Sequence, residues 1–570
     1  MAQNVVLKYR LQDSTSQALR LIESFQQQFS SEQTAKIYLQ QQVAGLQAKG
    51  YITANVDSIF FHNKELIAEI YIGNNYTWKQ LSFSTDAALI LQQAGINTWQ
   101  WQNEKKVNAD VFFLHKQLVN FLENNGYPFA RVWYDSISIE KSTFSATIMV
   151  DKGLLFGIDS LIVNGNLSIN KQFLQRYLSL PPKQPFNAEK LASIDQKLNL
   201  LPYLTTAQPT SVQFLSNSYI VNSFLTPKKA NQVNVLVGLL PANNQTGGKL
   251  LLTGQANLLL YNSFGNGERF LFNWQQLQQQ SPRLQLQFNR PYLVNSQAGL
   301  DVQFELYKRD SFFVNVQSLI GVQYEFQPNH WLKIAYDGFS TRLINVDTNI
   351  IKQTQQLPDK LDLTNRGFRF TYFHSTINNQ FNPIQGWEWK VSASFTQKNI
   401  IKNNTIEALA NNNSNLANLY SFPLKTSQQS IRVGIEKYTK IGKQAVMKTA
   451  FQGAHLQAAR LFTNELFQIG GIKLLRGFDE EGILAGSFGV ATTEYRYLIG
   501  ENSYFQAFSD VSFVQNPVQK TQKWYWGLGG GIALQTKQGI LNVAMAIGKE
   551  GTNAFNTRQV KLHIAFVSFF

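Results

Sequence analysis

The chain has 570 residues, 44% apolar and 13% aromatic, yet only 15% charged against an ordinary value of roughly 25%. Its mean hydropathy is −0.21, and no uncharged apolar run reaches the roughly 18–20 residues of a spanning helix, which excludes a helical membrane protein. The net charge is +15 without a basic, aromatic-interleaved block that would mark a nucleic-acid surface, and the lack of cysteine removes disulfides, thiolate zinc sites and cysteine nucleophiles. Few charges, many aromatics and no hydrophobic helix fit a membrane β-barrel. The start, Met1-Ala2-Gln3-Asn4, lacks the apolar core of a secretory signal. An outer-membrane protein needs one, so the chain reads as a mature form with an added Met1, or as one that begins after cleavage.

The first part of the chain repeats. Tyr51, Tyr127 and Tyr203 recur at an interval of 76 residues. Gly50-Tyr51 and Gly126-Tyr127 each precede an Asp-Ser-Ile triplet, at 57–59 and 135–137, whereas the third copy is the weaker Leu201-Pro202-Tyr203-Leu204. Each unit opens with a strand (Val5–Leu11, Trp78–Phe83, Phe156–Val163). In the first unit, Ala18, Leu19, Leu21, Ile22 and Phe25 give one helical face and a second helix runs from Thr34 to Ala48. The glycine before the tyrosine sits where a helix C-terminus takes a left-handed residue. Two strands close the unit, Ile52–Phe60 and Glu65–Ile72. The order strand, helix, helix, strand, strand predicts three α+β domains, at 1–76, 77–152 and 153–229.

From Asn231 the period falls to two. Leu284, Leu286 and Phe288 alternate with Gln285, Gln287 and Asn289; Trp387, Trp389, Val391, Ala393 and Phe395 alternate with Glu388, Lys390, Ser392 and Ser394. With no helical pattern to cover the apolar face over residues 230–570, lipid must cover it. That predicts a transmembrane antiparallel barrel of about 16 strands, apolar outside and polar inside, at roughly 20 residues per strand with its turn. Phe264-Gly265-Asn266-Gly267-Glu268 reads as a tight hairpin. The Asn-rich stretch Asn403–Asn418 and another at Asn345–Asn365 read as long polar loops. Its first strand falls at Gln232–Leu240 and its last at Val560–Phe570.

Chemistry-bearing motifs are sparse. Gly527-Leu528-Gly529-Gly530-Gly531 resembles a phosphate loop, but Ile532-Ala533-Leu534 continues a strand where a helix is needed. The six histidines have no metal-ligand spacing, and neither a Gly-x-Ser-x-Gly elbow nor a carboxylate couple stands out. No enzyme, cofactor or metal is expected.

The most specific element is Leu475-Arg476-Gly477-Phe478. It resembles the (Val/Leu)-Arg-Gly-(Phe/Tyr) signature of the BamA/TamA-type outer-membrane assembly proteins and their relatives, the two-partner-secretion transporters. Asn262–Glu268 resembles that family's first hairpin, Asn289-Arg290-Pro291-Tyr292 its Asn-Pro-Tyr segment with Arg inserted, and Asn382–Gly386 its Pro-x-x-Gly turn. Glu494 and Asp510 match its acidic strand positions. The resemblance covers the whole chain, and three repeats with a barrel look most like the TamA branch. It implies polypeptide-transport-associated (POTRA) domains in the periplasm and a barrel in the outer membrane. It further implies insertion or export of unfolded client proteins, alongside outer-membrane lipid and periplasmic or inner-membrane accessory proteins, without nucleic acid. In that family the arginine loop folds into the lumen and meets acidic strand residues, which here are Glu494 and Asp510. The first and last strands would form a lateral seam, through Val233, Val235, Val237, Leu562, Ile564, Phe566 and Phe570. The alternative is a two-partner-secretion transporter passing one unfolded exoprotein; such transporters typically have two periplasmic domains and a plug helix, where this chain begins with a strand.

Overall fold

A computed structural model describes residues 5–13, 20–22, 25–62, 65–103, 106, 108–240, 251–276, 281–293, 296–379, 382–471, 474–536, 539–555 and 560–569. Two compact units form. One comprises Met1–Ser160, Pro182–Ser193 and Val212–Val221; the other comprises Leu161–Pro181, Ile194–Ser211 and Asn222–Phe570.

In the first unit, Val5–Leu11 runs parallel to Glu65–Tyr71, which pairs antiparallel with Asn55–His62. Helix Glu32–Ala48 starts at a capping box: the Ser31 hydroxyl accepts from the Thr34 amide and the Thr34 hydroxyl accepts from the Ser31 amide. Two otherwise unpaired donors are satisfied in this way. Ala35, Leu39 and Leu46 lie on one face of this helix and bury against Leu7, Leu66 and Ile70. Of the helical stretch expected at Ala18–Phe25, residues 20–22 are helical and Leu21, Ile22 and Phe25 pack into this core, while residues 18, 19, 23 and 24 lie outside the described residues.

The second sheet has the same plan, with Thr77–Phe83 parallel to Thr143–Asp151 and Arg131–Glu140 on its other edge. Leu114, Leu118 and Leu122 of helix Asn108–Asn124 and Ile90 of helix Thr85–Gln93 fill its core. A short third helix, Trp99–Asn103, was not legible in the sequence. Gly50 and Gly126 take φ of 106° and 102° just past their helices, a conformation that favours glycine. A third sheet orders its strands Gly157–Asn164, Ser218–Pro227, Leu204–Phe214, and its residues are divided between the two units.

Both closed cores lie within residues 1–152. That fragment should fold alone, with a mixed α+β circular dichroism spectrum and a cooperative thermal transition. Leu114 is fully buried, so Leu114→Ala should lower the fragment's stability by about 2–5 kcal/mol in urea titrations. A non-cooperative wild-type fragment would count against independent domains.

The second unit holds a closed antiparallel barrel of sixteen strands among the described residues. Its first strand is Gln232–Leu240 and its last is Lys561–Phe569. Along the seventh strand, His330–Leu343, Leu332, Ile334 and Tyr336 are exposed while Lys333, Ala335 and Asp337 are buried. A water-soluble sheet shows the reverse, so the alternation builds a barrel with its apolar face outward. Residues 403–418 and 345–365 are more ordered than polar loops: they carry helices Asn404–Asn411 and Thr348–Thr354. Asn403 and Asp347 cap those helices, and Ile406 and Ile351 point into a small core with Leu361, Leu363, Ile400 and Phe462. One or two inward apolar residues per short helix, Ile351 in one and Ile406 with Leu409 in the other, give too weak a periodicity to read beforehand.

Candidate functional site

The segment between the eleventh strand, Ala445–Ala458, and the twelfth, Ser487–Gly500, folds back on itself. Phe467–Ile469 pairs with Ile483–Ala485, and Gly471 bridges to Leu475. Leu475 is fully buried among Ile469, Ala485, Val490, Val514 and Tyr525. Phe478 meets Tyr525 edge-on, ring centroids 5.3 Å apart. Between these two anchors stands Arg476.

The Arg476 guanidinium grips Asp510 with both arms, Nε to Oδ2 at 2.8 Å and Nη2 to Oδ1 at 2.7 Å. Its third nitrogen, Nη1, donates to Glu494 Oε2 at 2.6 Å, and its backbone amide donates to Asp510 Oδ2 at 3.0 Å. The guanidinium also lies 3.5 Å from the centre of the Phe508 ring. Glu494 accepts a second bond from Arg496 Nε at 2.7 Å, Arg496 reaches Asn382, and the Thr492 hydroxyl donates to Asp510 at 2.8 Å. Two cations thus face two carboxylates. Arg476 is 8% exposed, Arg496 7%, Glu494 4% and Asp510 0%. Such enclosed charges are tolerated only because each is paired and hydrogen-bonded.

Glycine makes the approach possible. Gly477 has φ of 90°, and a Cβ there would meet the Ile547 backbone carbon at 2.5 Å. At Gly527, opposite Asp510 on the fourteenth strand, Thr521–Gln535, a Cβ would overlap the Arg476 carbonyl oxygen. The glycine-rich run is therefore a strand that leaves room for the motif. Arg496 was missed by the sequence reading, although its spacing of two from Glu494 already put both on one face of a strand.

The seam joins the first and last strands, and Lys561 of the last strand reaches Asp479 of the folded-back segment at 2.6 Å. The first strand pairs with the second, Leu251–Tyr261, over its whole length, from Gln232↔Leu259 to Leu240↔Leu251. With the last strand it shares only Gln232↔Phe569 and Val233↔Ser568 among the described residues. Val233 and Val235 are exposed on one side, Leu562 and Phe566 on the other. The backbones of Val237 and Ile564 belong to these strands, but their side chains lie outside the described residues, as does Phe570.

A family model described as the Omp85 superfamily domain matches residues 262–565. The chain belongs to the Omp85 superfamily. Its barrel therefore spans the outer membrane, with the POTRA-like segments in the periplasm. Similar solved structures include CdiB from Escherichia coli, at 12% identity over 98% of this chain and 100% of that one, TM-score 0.52. CdiB from Acinetobacter baumannii is 11% identical over 87% and 90%, TM-score 0.54. BamA from Haemophilus ducreyi lacking POTRA domains 1–3 is 14% identical over 87% and 100%, TM-score 0.45. At such identities the likeness to the two CdiB structures is one of fold. A comparison with curated proteins gave no match.

Proposed function

We propose that this Omp85 barrel inserts unfolded client barrels into the outer membrane through its seam, as in the assembly branch that the sequence resembles. The observation that carries this reading is the unequal pairing of the first strand, continuous on one side and two residue pairs long on the other. Beyond Val233, its other edge has no ladder partner from the last strand among the described residues. Unpaired backbone in lipid costs several kcal/mol per group. A client strand that added to this edge would recover that energy, and alternate side chains would then face lipid. In this reading residues 1–76, 77–152 and 153–229 are three periplasmic domains that feed the barrel at 230–570, and Arg476 with Glu494 and Asp510 holds the folded-back loop while the seam works.

The test is reconstitution of the full chain in liposomes with a urea-unfolded outer-membrane barrel. An insertase raises the rate at which the client acquires heat-resistant mobility at least tenfold over empty liposomes. A two-partner-type exporter would leave that client unfolded and carry an unfolded exoprotein across the bilayer instead. No acceleration of a folding-competent client would overturn the insertase reading.

A further inference from the structure

A cavity of about 570 Å³ occupies the barrel lumen, and Phe467, Gln468 and Ile469 of the folded-back segment line one side of it. Every carboxylate lining it is already in an ion pair: Glu305 and Glu481 with Arg283, Asp337 with Arg369, and Glu465 with Lys398. The cations are not all matched in turn. Lys333 lies 2.7 Å from Asp301, and Arg369 lies 2.6 Å from Asp337. Lys390 of the ninth strand, Gly386–Ile400, and Arg432 of the tenth, Lys425–Ile441, have no acidic partner within 4.0 Å among the described residues.

These two belong together. Lys390 is opposite Gly434 in the ladder, so it is the diagonal neighbour of Arg432 on the same face. Diagonal neighbours sit about 7–8 Å apart, within reach of long side chains. Gly434 leaves the space above Lys390 open. Arg432 rests against the Phe467 ring, 4.9 Å from guanidinium carbon to ring centre. A cation over a ring keeps its in-plane N–H groups available.

Hydroxyls complete the wall. Thr371 and Ser392 share one hydrogen bond at 3.0 Å, and Ser394 and Ser430 another at 2.7 Å. Each pair contains two O–H groups and spends one on the shared bond, so the other remains to donate. Ser392 is the ladder partner of both Thr371 and Arg432. The cavity thus offers two cations that touch no carboxylate, Glu388 and Asp301 acting on Lys390 and Asp337 and Glu305 on Arg432 only from beyond contact distance, and two spare O–H donors from three adjacent strands. A chloride ion would match one charge and little of the geometry. A tetrahedral dianion matches both charges and can accept from all four groups.

We propose that the lumen holds a binding site for a phosphate dianion, free or as a phosphomonoester lipid headgroup, made by Lys390 and Arg432 with the Thr371–Ser392 and Ser394–Ser430 pairs. The site is independent of whether the barrel inserts or exports clients. The test uses the full chain in a phosphate-free maltoside detergent and phosphorus NMR. Inorganic phosphate should broaden saturably and be displaced by sulfate but not by equimolar chloride. Lys390→Gln/Arg432→Gln should bind at least tenfold more weakly while keeping wild-type heat-modifiability. If that pair of changes prevents folding, Lys390→Gln alone should still weaken binding several-fold. Dihexanoyl phosphatidic acid is the second probe: binding of this lipid without binding of inorganic phosphate assigns the site to the headgroup, and binding of inorganic phosphate assigns it to the free ion. Absence of saturable broadening with both probes, or unchanged binding in the folded variants, overturns the proposal.

Discussion

Arg476→Ala should destabilise the barrel by about 3–5 kcal/mol, the loss expected when one member of an enclosed ion pair is removed. The change strands Asp510, which has no exposure and whose ionic partner among the described residues is Arg476. Glu494 keeps Arg496 and is left half-satisfied. Glu494→Gln should therefore cost less than Asp510→Ala. Arg476→Lys should recover only part of the loss, because an ammonium cannot grip Asp510 with two arms while reaching Glu494 with a third, and it loses the flat contact on Phe508. Arg476→Ala and Asp510→Ala together should cost less than the sum of the two, since the second change removes the charge that the first exposed. The measurement is the temperature at which the folded band disappears on gels, together with complementation in a depletion strain. Wild-type behaviour of Arg476→Ala in both assays would remove the pairing from any part in stability or function.

Locking the seam should stop client insertion and leave the barrel folded. Val233 and Ser568 are ladder partners, and the chain contains no cysteine, so Val233→Cys with Ser568→Cys places a thiol pair across the seam and nowhere else. Antiparallel partners are roughly 4.5–5.5 Å apart at Cα, within the range that a disulfide spans. Oxidation should lower the insertion rate at least tenfold, and reduction should restore it. Tyr336→Cys with Phe368→Cys, across the continuous ladder between the seventh and eighth strands (Leu363–Ser375), should cross-link without effect, because those strands are already paired along their length. Full activity in the oxidised Val233/Ser568 variant would refute an opening seam and leave the barrel intact.

Hydrophobic spacing alone settled much of this protein. A period of two along residues such as Leu332, Ile334 and Tyr336 fixes which side chains leave the wall, because successive strand residues point to opposite faces. The apolar exterior and the luminal Lys, Arg, Asp and Glu follow from that local rule, and the strand number follows from the length of the region at roughly 20 residues per strand. The helix of the first repeat was legible for a similar reason, since Ala35, Leu39 and Leu46 recur on one face. The Arg-Gly pair with its flanking apolar residues was visible as a motif, and so were its acidic partners, although only through a resemblance.

Tertiary structure decided the rest. Arg476 and Asp510 are 34 residues apart, and their bidentate geometry depends on where the folded-back segment lands and on Gly527 leaving room for it. The second cation, Arg496, enters because Glu494 has an oxygen to spare once Arg476 is in place. The seam is the clearest case. Val233 and Ser568 carry ordinary strand residues, and nothing in either segment encodes how many pairs they will share. That number is set when the sheet closes, by the accumulated stagger of all the strands between them. Spacing within a segment tells which face a side chain takes. Pairing between segments is a property of the closed barrel, and the placement of Lys390 beside Arg432 and the short seam both arise there.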